Sequence, residues 1–426
     1  MRRTKDDGSA ATVRRDLYRL QSAESKRICN CVWRYYMQYC MRMVQRRFWQ
    51  KLVEHNWSER SVVWLAGVRR VGKTFLCQSL DDIEYFDCEL PRTRRMMEDA
   101  QAFLEGLGKR RIVLDEVHRL PNPSELLKIA ADHYPNIRVL ATGSSTLGAS
   151  AKFKDTLAGR KRNVWLTPMC LEDLKDAKRA DLRHRFLRGG LPPFFLAESF
   201  PERDFQEWVD AYWAKDIQEL FRLERRSSFQ KFTELLMTQS GGLFEATRFT
   251  APCEVSRTTI GNYLNVLETT FVAHIIRPFS THRPTEIVSA PKVYGFDTGF
   301  VAYYRGWQDL RREDLGALWE HFVLNEIMAH QQNREISYWR DKRGHEVDFI
   351  LTARRNTPIA IECKWSAADF DATNLQVFRR QYSEGENFVL AHDVDRSFSR
   401  RFGEIMVRFE NLQTFVNTMD LGRRNS

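Results

Sequence analysis

Residues 61–80 read S-V-V-W-L-A-G-V-R-R-V-G-K-T-F-L-C-Q-S-L, and no other stretch limits the fold as tightly. Val62, Val63, Trp64 and Leu65 form an apolar run of buried-strand type, and residues 67–74 spell G-x-x-x-x-G-K-T before a helical run opens. Glycines let the backbone curl until its N–H groups face phosphate oxygens, and the following helix adds a positive dipole end. This predicts a triphosphate cradle built from Gly67, Arg69, Arg70, Val71 and Gly72, with Phe75 on the helix behind. Lys73 is expected to reach the β- and γ-phosphates of ATP, and Thr74 to bind Mg²⁺.

A second apolar run, residues 111–116, ends in Asp115 and Glu116. A parallel strand delivers an acid to the phosphate end of a doubly wound sheet in this way. Asp115 is expected to hold Mg²⁺ through water, and Glu116 to polarise the attacking water. Residues 137–141 form a third strand ending in T-G-S-S, where the Ser144 hydroxyl could sense a γ-phosphate. Arg160 closes the run L-A-G-R and is a candidate for the γ-phosphate of its own subunit or, in a homo-oligomer, of a neighbouring one.

Strand and helix alternate around these motifs: strands at 83–87, 112–115 and 163–166, helices at 93–107, capped by Thr93, and 125–133. Such alternation predicts a P-loop NTPase-type doubly wound parallel sheet covered on both faces. At 426 residues the chain is too long for one ordinary core. The expected divisions are a flexible basic extension at 1–42, an ATPase core at 43–170, a helical lid at 171–226, a winged-helix-like segment at 227–285 and an α/β domain at 286–426.

The net charge of +10 invites a nucleic-acid partner, but residues 1–42 carry +6 of it, which leaves +4 for the rest. Eight cysteines without paired spacing point to a reducing, cytoplasmic setting, and no run approaches the ~18 apolar residues of a membrane helix. In the segment 227–285 Ser256 caps a helix with Ile260, Leu264 and Leu267 inward and Arg257, Thr258, Asn262 and Asn265 outward. A helix, a turn, a capped helix and a strand make the plan of a winged helix-turn-helix, which serves DNA binding and protein docking alike.

The last third holds a second candidate site. By strand period, Glu346 and Asp348 share a face with Val347 and Phe349 behind, and Glu362 and Lys364 share another with Ile361, Cys363 and Trp365 behind. Thirteen residues separate Asp348 from Glu362, enough for a hairpin that would bring Asp348, Glu362 and Lys364 together. Such a trio can bind a divalent cation through its carboxylates, with the lysine balancing charge that grows on phosphorus. Glu320, or less favourably Glu326, could complete the metal site, and Gln376 could orient phosphate.

Taken together, G-x-R-x-V-G-K-T, the strand ending D-E, T-G-S-S, L-A-G-R and the Gly-Gly-x-Pro turn at 189–192 resemble a group of prokaryotic AAA-type ATPases. Those proteins carry a C-terminal domain similar to PD-(D/E)xK nucleases. Matching positions continue through 291–299, 318–326, 346–350 and 362–364, so the likeness spans roughly residues 43–410. It implies ATP binding and a restriction-endonuclease-like C-terminal fold, with Glu320, Asp348, Glu362 and Lys364 on the motif positions. The reading that follows is an ATP-hydrolysing protein coupling its nucleotide state to DNA binding and metal-dependent cleavage. Its alternative is a nucleotide-gated DNA- or protein-binding module with an inactive nuclease-like domain.

Overall fold

The computed structural model describes residues 44–108, 110–143, 157–221, 223, 225–280, 290–332, 335–352 and 357–424. The basic extension and Ser144 lie outside them. Helix α1 (Arg47–Glu59) buries Trp49, Val53 and Trp57, spaced four apart on one face. Then come β1 (Val62–Ala66), α2 (Lys73–Gln78), β2 (Glu84–Asp87), α3 (Pro91–Met96), α4 (Ala100–Glu105), β3 (Arg111–Asp115), α5 (Pro123–His133), β4 (Arg138–Thr142) and β5 (Lys161–Trp165).

The five strands form one parallel sheet in the order β2-β3-β4-β1-β5. Alternation within β1 decides what each face meets: Val63 and Leu65 join one core with Val113, Leu140 and Val164, whereas Val62 and Trp64 join another with Ile112, Leu114 and Val139. A parallel sheet must be covered on both sides, and the central strands β1, β3 and β4 are correspondingly buried along nearly their whole length, whereas the edge strands β2 and β5 carry charged residues. The single helix predicted at 93–107 is two short ones. Asp99, not Thr93, caps the second by accepting from the Ala102 N–H at 2.9 Å, and Thr93 is buried inside the first.

The next segment is helical: α6 (Leu171–Asp176), α7 (Leu182–Arg188), α8 (Pro192–Phe195), α9 (Glu202–Tyr212), a π-helical turn Trp213–Ile217, and α10 (Gln218–Phe221). After α11 (Arg226–Thr238) come β6 (Gly242–Leu243), α12 (Thr247–Cys253), α13 (Arg257–Thr269), β7 (Ala273–Pro278) and β8 (Lys292–Gly295). Ser256 caps α13 by accepting from the Thr259 N–H at 3.1 Å; Ile260, Leu264 and Leu267 are buried and Arg257, Thr258, Asn262 and Asn265 exposed. Strand β8 pairs antiparallel with β7, so the sheet runs across the expected division at residue 285.

Helices α14 (Thr298–Tyr304) and α15 (Arg312–Gln331) lead into β9 (Ile336–Arg340), β10 (Glu346–Thr352), β11 (Pro358–Lys364), α16 (Thr373–Gln381), β12 (Asn387–Ala391), β13 (Phe398–Phe402), β14 (Ile405–Glu410) and α17 (Leu412–Arg424). These strands continue the same sheet in the order β13-β14-β12-β11-β10-β9-β7-β8-β6. Strands β10 and β11 form the expected antiparallel pair, Phe349 opposite Ile361, while β11 and β12 run parallel. One expectation fails: the β9–β10 register shifts between Val347 and Ile350, and this irregularity sends Val347 to the core under α16 and Phe349 to the core under α15. Strict alternation does not survive a bulge.

Candidate functional sites

The loop after β1 turns on Gly67, Arg70 (φ 63°) and Gly72 (φ 103°). A Cβ on Gly67 would stand 2.6 Å from the Leu166 carbonyl oxygen, so only glycine lets β1 leave the sheet beside β5. Lys73, at the start of α2, donates to the carbonyls of Gly67 (2.8 Å) and Val68 (3.2 Å) and so lies across the mouth of the loop. Thr74 donates to Asp115 Oδ2 at 2.8 Å, Tyr85 to the same oxygen at 2.6 Å, and the Thr142 hydroxyl to Oδ1. Strand order explains the meeting, since β4 lies between β1 and β3 and its last residue, Thr142, reaches the acid at the end of β3.

Glu116 sits in the left-handed region (φ 53°), held by its N–H to the Thr142 hydroxyl at 3.0 Å. A left-handed non-glycine residue at a strand end stores strain that the surroundings must compensate. Burial pushes the Glu116 carboxyl up, but His118 at 3.2 Å and the Lys73 and Arg69 charges outweigh it and hold the acid at about 2. Burial lowers Lys73, opposed by Glu116, Asp216 and Asp115. Thr74 and Asp115, with oxygens already in contact, are the residues that would hold a Mg²⁺ ion here.

Contacts from residues distant in sequence, none of them expected from the sequence, fix this loop from outside. Arg69 pairs with Asp216 of the π-turn at 2.8 Å, Trp208 of α9 donates to the Arg69 carbonyl at 2.9 Å, and Arg70 lies 3.7 Å from Glu207. Arg46 donates to the Val71 carbonyl at 2.6 Å and forms a fully buried pair with Asp173 at 2.7 Å. No periodicity links residues 46, 173 and 216, so folding alone could reveal them. Arg160 stands at the opposite end of the sheet, before β5, paired with Asp132 at 2.7 Å. It does not approach its own chain's phosphate loop, and any contact with a γ-phosphate would cross to another subunit.

The second cluster lies where β8, β10, β11 and α15 meet. Glu320, Asp348, Cys363, Lys364 and Trp365 line a cleft of about 760 Å³ with Arg311 and Arg312. Asp348 accepts from the Cys363 N–H at 2.8 Å, and Lys364 donates to Glu362 Oε2 at 2.8 Å. Glu362 is 1% exposed and its Oε1 has no hydrogen-bond partner among the described residues. Burial and the Asp348 charge push Glu362 upward against Lys364; the same two influences raise Glu320 against Lys292. Burial lowers Lys364, yet Asp348 and Glu362 overcome it and keep the ammonium charged.

Glu326 points elsewhere, accepting from the Leu171 N–H at 2.8 Å at the junction with the ATPase core, and Gln376 donates to the Phe402 carbonyl at 3.3 Å. Sequence reasoning missed Lys292, whose Nζ lies 3.0 Å from Glu320 and 2.5 Å from Glu346, and Tyr294, whose hydroxyl donates to the same Glu320 oxygen. The signal was there: two residues apart on β8, they share a face. Among the described residues no group of three His, Cys, Asp or Glu side chains is disposed to hold a metal ion. The trio Glu320, Asp348 and Glu362 therefore does not fit a divalent cation as arranged, because an ammonium and a phenol already occupy Glu320.

Residues 59–175 match a family described as an AAA domain, and residues 179–311 and 315–411 match two domain families of unknown function. The uncharacterized proteins Rv2008c of Mycobacterium tuberculosis and Mb2031c of Mycobacterium bovis are each 28% identical over 324 residues, 73% of this chain and 72% of theirs. A Walker-type ATPase of Pyrococcus abyssi, PABY2304, is 15% identical with a TM-score of 0.38, covering 60% of this chain and 94% of that one, too loose a likeness to argue from. The AAA match and the loop geometry together define residues 59–175 as a P-loop ATPase module of AAA type. Among the described residues no helix is long and apolar enough to cross a membrane.

Proposed function

We propose that the chain is an ATP-hydrolysing switch whose nucleotide state controls how a C-terminal restriction-endonuclease-like domain engages DNA. The observation that carries this reading is the gathering of Asp348, Glu362 and Lys364, residues from two strands, beside one open cleft rimmed by Arg311 and Arg312. The succession of α15, the meander β9-β10-β11, α16 and parallel β12 is the arrangement expected of that fold. Helix α13, with four polar side chains outward, would be the recognition helix of a winged-helix element. Arg160, facing outward, would serve a neighbouring subunit in a homo-oligomer.

The test is incubation of the protein with labelled DNA, Mg²⁺ or Mn²⁺, with and without ATP. Cleavage lost in both Asp348→Ala and Lys364→Ala supports the nuclease half, and intact DNA under every nucleotide condition rejects it. A second reading, a nucleotide-gated binding module with an inactive nuclease-like domain, is favoured by the occupation of Glu320 by Lys292. It predicts DNA retention that responds to ATP and ignores divalent cations.

A further inference from the structure

The acid cluster of the C-terminal domain has two sides. Facing the cleft are Asp348, Lys364 and one edge of Glu320. Lys292 does not line the cleft; it is 5% exposed, and its ammonium stands 3.0 Å from Glu320 Oε1 and 2.5 Å from Glu346 Oε1. Tyr294 adds a hydroxyl to the same Glu320 oxygen, and Arg340 takes the other oxygen of Glu346 at 2.8 Å. A cation bridging two carboxylates from different elements has the electrostatic arrangement that a metal ion would otherwise supply. On the other side, Lys364 holds Glu362 Oε2 at 2.8 Å, and the buried Glu362 Oε1 has no hydrogen-bond partner among the described residues.

The geometry points to Lys292 as the resident cation of this cluster, standing on Glu320 and Glu346 where a divalent ion would otherwise bind and excluding Glu320 from metal coordination. The inference rests on the reading of the cleft as a phosphodiester site, and it changes the role of Glu320 from ligand to lysine partner. A purely structural ion pair would give the same distances. What separates the two is metal binding, because only a cation that occupies a ligand position opens a metal site when it is removed.

The experiment is calorimetric titration of nucleotide-free, full-length protein with Mn²⁺ in a Thr74→Ala background, which removes the contribution of the nucleotide site. Lys292→Met is expected to bind Mn²⁺ at least tenfold more tightly than its parent, or to gain a site. That gain should vanish in the double variant Lys292→Met/Glu320→Gln. With Lys292 intact, Glu320→Gln should leave Mn²⁺ binding unchanged. Lys292→Met behaving like its parent overturns the inference, and so does a fall in affinity in Glu320→Gln. Should Lys292→Met not fold, the Glu320→Gln titration decides alone. A parent that binds no Mn²⁺ beside a Lys292→Met variant that does would support the resident cation while defeating metal-dependent cleavage. The reverse pattern, Mn²⁺ bound through Asp348 with no response to Lys292→Met, would keep cleavage and discard the inference.

Discussion

Lys73 is held by two carbonyls of its own loop, and triphosphate must draw it off them to bind. On the proposed reading that this ammonium meets the β- and γ-phosphates, Lys73→Ala should lower ATP turnover by about two orders of magnitude, read as phosphate release. Wild-type turnover in that variant would remove the ATPase module from the account. Glu326 offers a test by pH. Burial lifts its carboxyl from 4.5 to about 7, against the His330 charge and the Leu171 N–H. Between those values the unfolded chain has released the proton that the folded chain keeps. The stability tied to this group is therefore full below pH 4.5 and lost as pH rises through 7. Glu326→Gln keeps the acceptor for Leu171 and should flatten that fall, on the order of 3 kcal/mol, in urea midpoints at pH 5 and 8. Parallel pH profiles in the two proteins would refute the assignment.

At the scale of elements, the phosphate loop is tied to the helical segment through the Arg69–Asp216 pair on a π-turn. Such turns insert one residue into a helix and recur at functional positions. Asp216 places a negative charge near Lys73 and, on the proposed reading of Arg69 as a phosphate-binding residue, would compete with phosphate for it. Asp216→Asn should therefore bind ATP more tightly, by about tenfold, in titration with a fluorescent ATP analogue. Weaker binding would mean that the pair supports the loop rather than restraining it. The strands taught a different lesson. The hairpin that brings Asp348, Glu362 and Lys364 together was legible in the sequence, because two short apolar runs separated by a polar turn mark a strand pair. The bulge between Val347 and Ile350 was not, since an unpaired residue in one strand depends on the partner strand's register.

Across the whole molecule, the Gly-Gly-x-Pro turn proves to be a joint. The Gly190 N–H donates to Asp297 Oδ2 at 2.6 Å, and the buried Arg185 lies 3.5 Å from the same carboxylate. Gly189 has a φ of 83°, and a Cβ there would stand 2.1 Å from Asp297 Oδ1, so the turn and the residues before α14 tolerate no larger pair. Asp297→Ala would strand Arg185 without its charge partner and should cost about 3–5 kcal/mol in chemical denaturation. A loss below 1 kcal/mol would show that the joint relaxes. Two further ties cross the same boundary: Leu171 N–H to Glu326, and Trp165 N–H to Gln332 at 2.7 Å. Strand β5 and the C-terminal end of helix α15, the helix that carries Glu320, are thereby held together.

The sequence alone determined the phosphate loop, the acid at the end of β3, the parallel core and the hairpin of the last third, because each is written in neighbouring residues with a fixed period. Tertiary structure decided the rest: that Thr142 and Tyr85 hold Asp115, that Arg160 faces away from its own loop, that Asp216 grips Arg69, and that Lys292 stands on Glu320. The reason is the range of the forces involved. Backbone periodicity acts over a few residues and leaves its mark in the chain, whereas a buried charge takes whatever partner the completed fold brings within about 3–4 Å, however far away it lies in sequence.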